Sequence, residues 1–131
     1  MFALPQHHTP PTLTGDQTLW QLYVGLKGRI NRRSFWLHGV LSLLAVSMVL
    51  MALLEIAGFH PDRVEKVVSA LIAWPSIAIS AKRWHDRDRS GWWVLIVLIP
   101  IPLIPQLWAL IDNGFVSGTR GENRFGAEPT R

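Results

Sequence analysis

Three uncharged apolar runs alternate with polar segments along the chain. The first run covers residues 34–54 and the third covers 91–111, and both hold 21 residues without a formal charge. The middle run, 67–81, is shorter, but the side chains of Lys66 and Lys82 at its ends can reach the interface. About 20 apolar residues in a helix cross roughly 30 Å of hydrocarbon. The pattern therefore predicts membrane helices near 35–55, 66–82 and 91–111.

The third run differs from the others because its second half contains Pro100, Pro102 and Pro105. Proline removes a backbone donor and clashes with the preceding turn, so a straight, uninterrupted helix is excluded. Two arrangements remain: a sharply kinked span, or a helix followed by a re-entrant turn. We expect the kinked span, which places the C-terminal tail on the opposite side of the membrane from the preceding loop. The hairpin would place both on one side.

The remaining segments are polar or mixed, and they set the predicted domain limits. Residues 1–17 are polar and rich in proline, so we expect a disordered tail. Residues 18–33 combine an apolar stripe, which includes Leu19 and Trp20, with a basic motif, and this suits an interfacial segment. Residues 34–129 form the predicted transmembrane domain with its C-terminal tail. The predicted fold class is an all-α, polytopic integral membrane protein with about three transmembrane helices and short loops.

Lysine and arginine lie unevenly around these runs and predict the orientation of the helices. The net charge is +4, and the chain has no cysteine, which excludes disulfides and thiolate metal sites. Four basic residues precede the first predicted helix, two lie between the first and second, and four lie between the second and third. Positive residues favour the cytoplasmic side. We therefore expect a multi-pass protein whose N-terminus and second loop are cytoplasmic.

Three motifs occur in order along the chain: GRINRRSFW at 28–36, WPSIAISAKRWHDRDRSGWW at 74–93 and GENRFGAEP at 121–129. Together they resemble the bacterial family catalogued as domain of unknown function 805, over about residues 20–129. The middle motif departs from the family pattern at Lys82, where arginine is usual, and at Trp84, where leucine is usual. The resemblance implies a small protein of the bacterial inner (plasma) membrane without an established biochemical activity.

One close group of side chains has the chemistry of a metal or acid-base site, namely His85, Asp86 and Asp88. A metal-dependent enzyme built on this group is one alternative function. Such enzymes need further His and Asp ligands, and the sequence offers no matching set. Asp86 also lies three residues from both Arg83 and Arg89, so local ion pairs explain it more simply. We expect no cofactor, no stoichiometric metal and no catalytic activity.

The arginines of the two basic loops form the other candidate site. Guanidinium groups bind phosphate or carboxylate through paired hydrogen bonds, so two loops that meet would hold an anionic lipid headgroup or an acidic segment of a membrane-protein partner. Two other possibilities are that the protein forms a homo-oligomer or that it is an accessory subunit of a transporter. We expect no binding of nucleic acid, because no basic region lies away from the membrane. The simpler explanation is that these residues only orient the helices. The candidates are Arg29, Arg32, Arg33, Arg83, Arg87, Arg89, Trp84 and Trp92.

Overall fold

A computed structural model describes residues 18–101 and 103–129 of the chain. The predicted disordered tail, 1–17, lies outside the described residues. Within the described ranges the predicted all-α class is confirmed, and the β-type pairing found there is an isolated bridge between Asn123 and Gly126. The helices are α1 (Leu19–Tyr23), α2 (Arg32–Ile56), α3 (Pro61–Asp86), a 3₁₀ helix (Gly91–Leu98) and α4 (Ile104–Phe115).

Helix α2 corresponds to the predicted helix at 35–55. Asn31 caps its N-terminus: the Asn31 side chain accepts a hydrogen bond from the Ser34 amide at 2.7 Å and so satisfies a free donor of the first turn. Its first part, Phe35–Leu41, is π-helical, and the remainder is α-helical. The helix ends before Gly58, whose φ of 92° is a conformation that glycine adopts without strain. Its 25 residues span about 37 Å.

Helix α3 is longer than the predicted 66–82 and extends beyond it at both ends. It begins at Pro61, a residue whose fixed φ suits the first helical position. At its other end the charged residues through Asp86 remain helical, because they find partners inside the protein. Helices α2 and α3 are both long and apolar enough to cross a membrane.

The third apolar run folds into a hairpin. The 3₁₀ helix ends at Leu98, Leu103 takes a positive φ of 68°, and α4 then returns. The Gln106 side chain donates to the Val97 carbonyl at 2.9 Å, and the rings of Trp93 and Trp108 lie 6.3 Å apart. The end of α4 is thereby brought back to the level where the 3₁₀ helix starts.

This hairpin corrects the prediction for 91–111. A single kinked span is wrong, and the re-entrant alternative is the arrangement found. At about 2.0 Å per residue the 3₁₀ helix is about 16 Å long, and α4 is about 18 Å long. Each arm therefore covers about half of the roughly 30 Å of hydrocarbon. The described residues thus contain two helices that are long and apolar enough to cross a membrane, and a hairpin; the predicted count of three spans is not confirmed.

The interior of the protein is concentrated at one end. A small apolar core of Leu22, Ile30, Phe35 and Ile79 lies there. Much of α2 exposes apolar side chains, and so does the first half of α3 apart from the buried Val64 and Val68. The same end collects residues 27–33, 82–90 and 113–129, and it is called the polar end below.

Candidate functional site

Arg29 lies at the centre of the polar end and is buried, with 3% of its surface exposed. Its Nε donates to Asp86 Oδ1 at 3.0 Å, and its Nη2 lies 2.9 Å from the same oxygen. The other donors bind tail carbonyls: Nη2 reaches Thr119 at 2.6 Å, and Nη1 reaches Gly121 at 2.7 Å and Gly126 at 3.1 Å. The guanidinium therefore ties the tail to α3.

Arg83 is the second buried arginine and binds the other oxygen of Asp86. Its Nη1 donates to Asp86 Oδ2 at 2.5 Å, its Nε donates to the Asn113 carbonyl, and its Nη2 donates to the Val116 carbonyl. One carboxylate thus lies between two guanidinium groups, and both guanidinium groups are held by backbone carbonyls. Pairing of this kind offsets the cost of burying ionised side chains.

The neighbours of this pair are also held by the protein backbone. Lys82 is fully buried and donates to the carbonyls of Gln21 and Leu22. His85 Nδ1 lies 3.0 Å from the Gly28 carbonyl, and its ring stacks on Phe125 with centroids 4.0 Å apart and planes 7° from parallel. A carbonyl can only accept, so the proton of the neutral imidazole is on Nδ1.

The three candidate metal ligands do not converge on one point. His85 binds Gly28, Asp86 binds two arginines, and Asp88 binds Arg124 Nε at 3.1 Å. Arg124 holds the pKa of the Asp88 carboxyl below its usual range. Among the described residues there is no group of three His, Cys, Asp or Glu side chains that could hold a metal ion. The geometry gives the metal-enzyme alternative no support.

Arg87 and Arg89 point to the hairpin. Both pair with Asp112 near the end of α4, Arg89 at 3.6 Å. The expected ion pair between Asp86 and Arg89 is therefore replaced by one to Asp112, because α3 ends at Asp86 and Arg89 lies in the loop beyond it. Trp84 is fully buried, and its ring packs 5.7 Å from that of Trp108 and 6.0 Å from that of Trp93.

The remaining arginines surround a pocket of about 460 Å³ at the surface of the polar end. Arg32 is exposed and donates to the Phe115 carbonyl at 3.0 Å. Arg33 and Arg120 are exposed and have no hydrogen-bond or ion-pair partner among the described residues. Ser117, Gly118, Thr119 and Glu128 complete much of the wall. Trp92 lies elsewhere: it is 76% exposed on the 3₁₀ helix.

Comparison with known proteins places this arrangement in a family. The family model described as "Protein of unknown function (DUF805)" matches residues 23–127. The chain belongs to that family. No solved structure matches it.

Three relatives of this DUF805 protein come from Escherichia coli strain K12. Inner membrane protein YhaH is 35% identical over 111 residues, which cover 82% of this chain and 88% of YhaH. The uncharacterized protein YiiR is 30% identical over 135 residues, covering 85% and 90%. Inner membrane protein YhaI is 29% identical over 108 residues, covering 82% and 87%. Two of these relatives are named inner membrane proteins, and this chain has two helices that are long and apolar enough to cross a membrane. We conclude that the chain is a helical integral membrane protein.

Several residues that build the site in this DUF805 protein were not found by sequence reasoning. Asp112 accepts two arginines, Asn113 and Val116 supply carbonyls, and Arg120 borders the pocket. The closing motif GENRFGAEP, at 121–129, contains none of these four residues, but it did indicate that the tail matters. It supplies Asn123, whose side chain donates to the His85 carbonyl at 2.8 Å, and Arg124, which pairs with Asp88.

Proposed function

We propose that the chain is a multi-pass protein of the bacterial inner membrane whose polar end faces the cytoplasm. The hairpin supports this orientation, because it brings the tail to the same end as the two basic loops. Basic residues favour the cytoplasmic side. Ten of the 13 Lys and Arg residues then lie together, and the far end has two, accompanied by three acids. Those ten are Lys27, Arg29, Arg32, Arg33, Lys82, Arg83, Arg87, Arg89, Arg120 and Arg124.

The function proposed for this end is to bind the phosphate of an anionic phospholipid headgroup in the surface pocket. One observation carries the proposal: Arg33 and Arg120 border the pocket with their guanidinium groups unpaired within the described part of the chain. Arg29 and Arg83, by contrast, have their donors engaged by Asp86 and by backbone carbonyls. Of the predicted arginines, only Arg32 and Arg33 border the pocket, and Arg120, which was not predicted, completes the proposed site.

The position of the pocket favours lipid over a soluble anion. Arg32 and Arg33 lie in the first turn of α2, directly before the apolar segment that begins at Phe35. Cations at the membrane boundary meet headgroup phosphates, and each contributes about 1 kcal/mol of surface attraction. We propose a binding role and not a catalytic one.

Lipid retention tests this proposal. The variant Arg33→Gln/Arg120→Gln removes two charges from the pocket, and the matched control Arg63→Gln/Lys66→Gln removes two charges from the far end. Native mass spectrometry in mild detergent, with equal amounts of phosphatidylglycerol and phosphatidylcholine, measures the bound lipid. Two cations at about 1 kcal/mol each predict a roughly 30-fold weaker retention of phosphatidylglycerol in the pocket variant.

The control decides the interpretation. It should retain phosphatidylglycerol as the wild type does, since its lost charges do not border the pocket. Equal losses in the two variants would show that only the total charge matters, and unchanged retention in the pocket variant would reject the site. Inorganic phosphate that competes with the lipid at millimolar concentration would show that the phosphate group alone is recognised.

A further inference from the structure

A second cavity lies away from the basic pocket, between α3 and the 3₁₀ helix. It is a groove of about 520 Å³, within the roughly 300–1,000 Å³ common for sites of small molecules. Its long walls are apolar and include Trp74, Ile77, Val94, Leu95 and Leu98. The 3₁₀ helix, Gly91–Leu98, runs about 16 Å along the groove. The groove therefore has the shape and the lining for a hydrocarbon chain.

His85 gives one end of this groove a polar group. The residue is 9% exposed and lines the groove. Its Nδ1 is held by the Gly28 carbonyl and its ring is fixed against Phe125. Nε2 has no hydrogen-bond partner among the described residues. Because the proton is on Nδ1, Nε2 presents a lone pair, which is an acceptor and not a donor.

The structure around Nε2 directs that lone pair to the groove. Gly91 also lines the groove, and a Cβ added at Gly91 would lie 3.1 Å from His85 Nε2 and 3.2 Å from the Ala81 Cβ. The absence of a side chain at Gly91 thus leaves Nε2 uncovered. A donor brought by a ligand in the groove can therefore reach Nε2 and form a hydrogen bond with its lone pair.

We propose that the groove binds a neutral amphiphile, whose hydroxyl group donates a hydrogen bond to His85 Nε2 and whose hydrocarbon chain lies along the 3₁₀ helix. A long-chain alcohol has this chemistry. None of the groove-lining residues is Lys, Arg, Asp or Glu, so a charged headgroup would lie there without a counter-ion. Ser76, Ser80 and Ser90 also line the groove, and the Ser76 hydroxyl donates to the Ile72 carbonyl at 2.8 Å.

This site is distinct from the anion pocket of the proposed function. The groove and the pocket share no lining residue. Loss of phosphatidylglycerol retention would leave the groove intact, and failure of the groove proposal would leave the pocket unaffected. The two proposals are therefore tested separately.

A pair of photoreactive probes tests the hydrogen bond directly. One probe is a hexadecanol that carries a diazirine in its chain, and the other is its methyl ether, which cannot donate a hydrogen bond. Both are added to the full-length protein in lipid nanodiscs, and labelled peptides are quantified by mass spectrometry. The alcohol should label residues 91–98 about fivefold more strongly than the ether, as expected for one hydrogen bond of about 1 kcal/mol.

Three variants complete the experiment. His85→Phe keeps a ring against Phe125 but has no acceptor, so the two probes should label it equally. Val94→Trp fills the groove and should abolish labelling by both probes, whereas Val46→Trp, on an exposed face of α2, should change neither. Equal labelling of the wild type by alcohol and ether would overturn the proposal, and this comparison needs no variant to fold. Labelling that survives Val94→Trp would also overturn it.

Discussion

The role of Arg29 in holding the C-terminal tail gives a sharp test of the fold, through the substitution Arg29→Lys. Lysine keeps the positive charge, so the orientation signal in the membrane is unchanged. It replaces a planar group that has donors on three nitrogens with a single ammonium group. The matched control is Arg33→Lys, the same change in the same basic motif at an exposed position.

The magnitude follows from the contacts of the guanidinium group. Arg29 binds Asp86 on one side and the carbonyls of Thr119, Gly121 and Gly126 on the other. The guanidinium group reaches these three carbonyls because its N–H groups point in different directions. A single ammonium group placed near Asp86 cannot reach all of them, so at least two hydrogen bonds are lost. At about 1.5 kcal/mol for each bond to a charged donor, the docked tail loses about 3 kcal/mol, which is roughly a 150-fold change in its opening equilibrium.

Hydrogen exchange measures this opening at individual amides. The Thr119 amide donates to the Asp86 carbonyl at 2.7 Å, and the Asn123 amide donates to the Gly126 carbonyl at 3.0 Å. In Arg29→Lys both should exchange roughly 150-fold faster, while amides within α2 stay protected. Arg33→Lys should leave both rates unchanged. If Arg29→Lys does not accelerate Thr119, or if the control accelerates it equally, the tail is not held by the Arg29 guanidinium and the reasoning fails.

Two further predictions concern the hairpin and its orientation. Trp108→Leu removes two ring contacts with Trp84 and Trp93, so the hairpin should lose about 2 kcal/mol, measured by thermal denaturation in detergent. Trp92→Leu, at an exposed ring, should lose little, and equal losses would contradict the packing. In spheroplasts an impermeant maleimide should label His60→Cys, at the far end, but should label Ser117→Cys only after permeabilisation. Labelling of Ser117→Cys in intact spheroplasts would show that the tail does not lie on the cytoplasmic side of the membrane.

The helices α2 and α3 were predictable because a long uncharged run has few other stable solutions in a membrane. The hairpin formed by residues 91–111 was not predictable from the sequence. Proline at 100 and 105 shows that the helix must break, but the direction taken after the break depends on partners distant in sequence. Trp84 packs against Trp108, and Arg87 pairs with Asp112. These contacts bring α4 back, and a hydropathy pattern carries no information about them.

The candidate site shows the same limit at the level of single side chains. The two basic loops, which the sequence suggested could meet, do contact each other through Arg29 and Asp86. Sequence reasoning treated their arginines as equivalent, because charge counts do not show which way a side chain points. Arg29 and Arg83 turn inward to Asp86 and to backbone carbonyls, whereas Arg33 faces solvent. Backbone carbonyls of the tail hold much of what distinguishes the buried arginines from the exposed one. Every residue has the same backbone carbonyl whatever its side chain, so the sequence does not show which carbonyls will bind an arginine.

The placement of the buried charges has a consequence for how the protein is made. The chain is synthesised from its N-terminus, so Arg29, Arg83 and Asp86 all exist before residues 113–126 emerge from the ribosome. Until then the Arg29 and Arg83 guanidinium groups lack the carbonyls of Asn113, Val116, Thr119 and Gly121 that hold them in the finished protein. Closure of the tail is therefore the last folding event at the polar end. A chain that ends before residue 113 would keep Arg29, Arg83 and Asp86 but would lack every one of these carbonyls, so its two guanidinium groups would have to find water in their place.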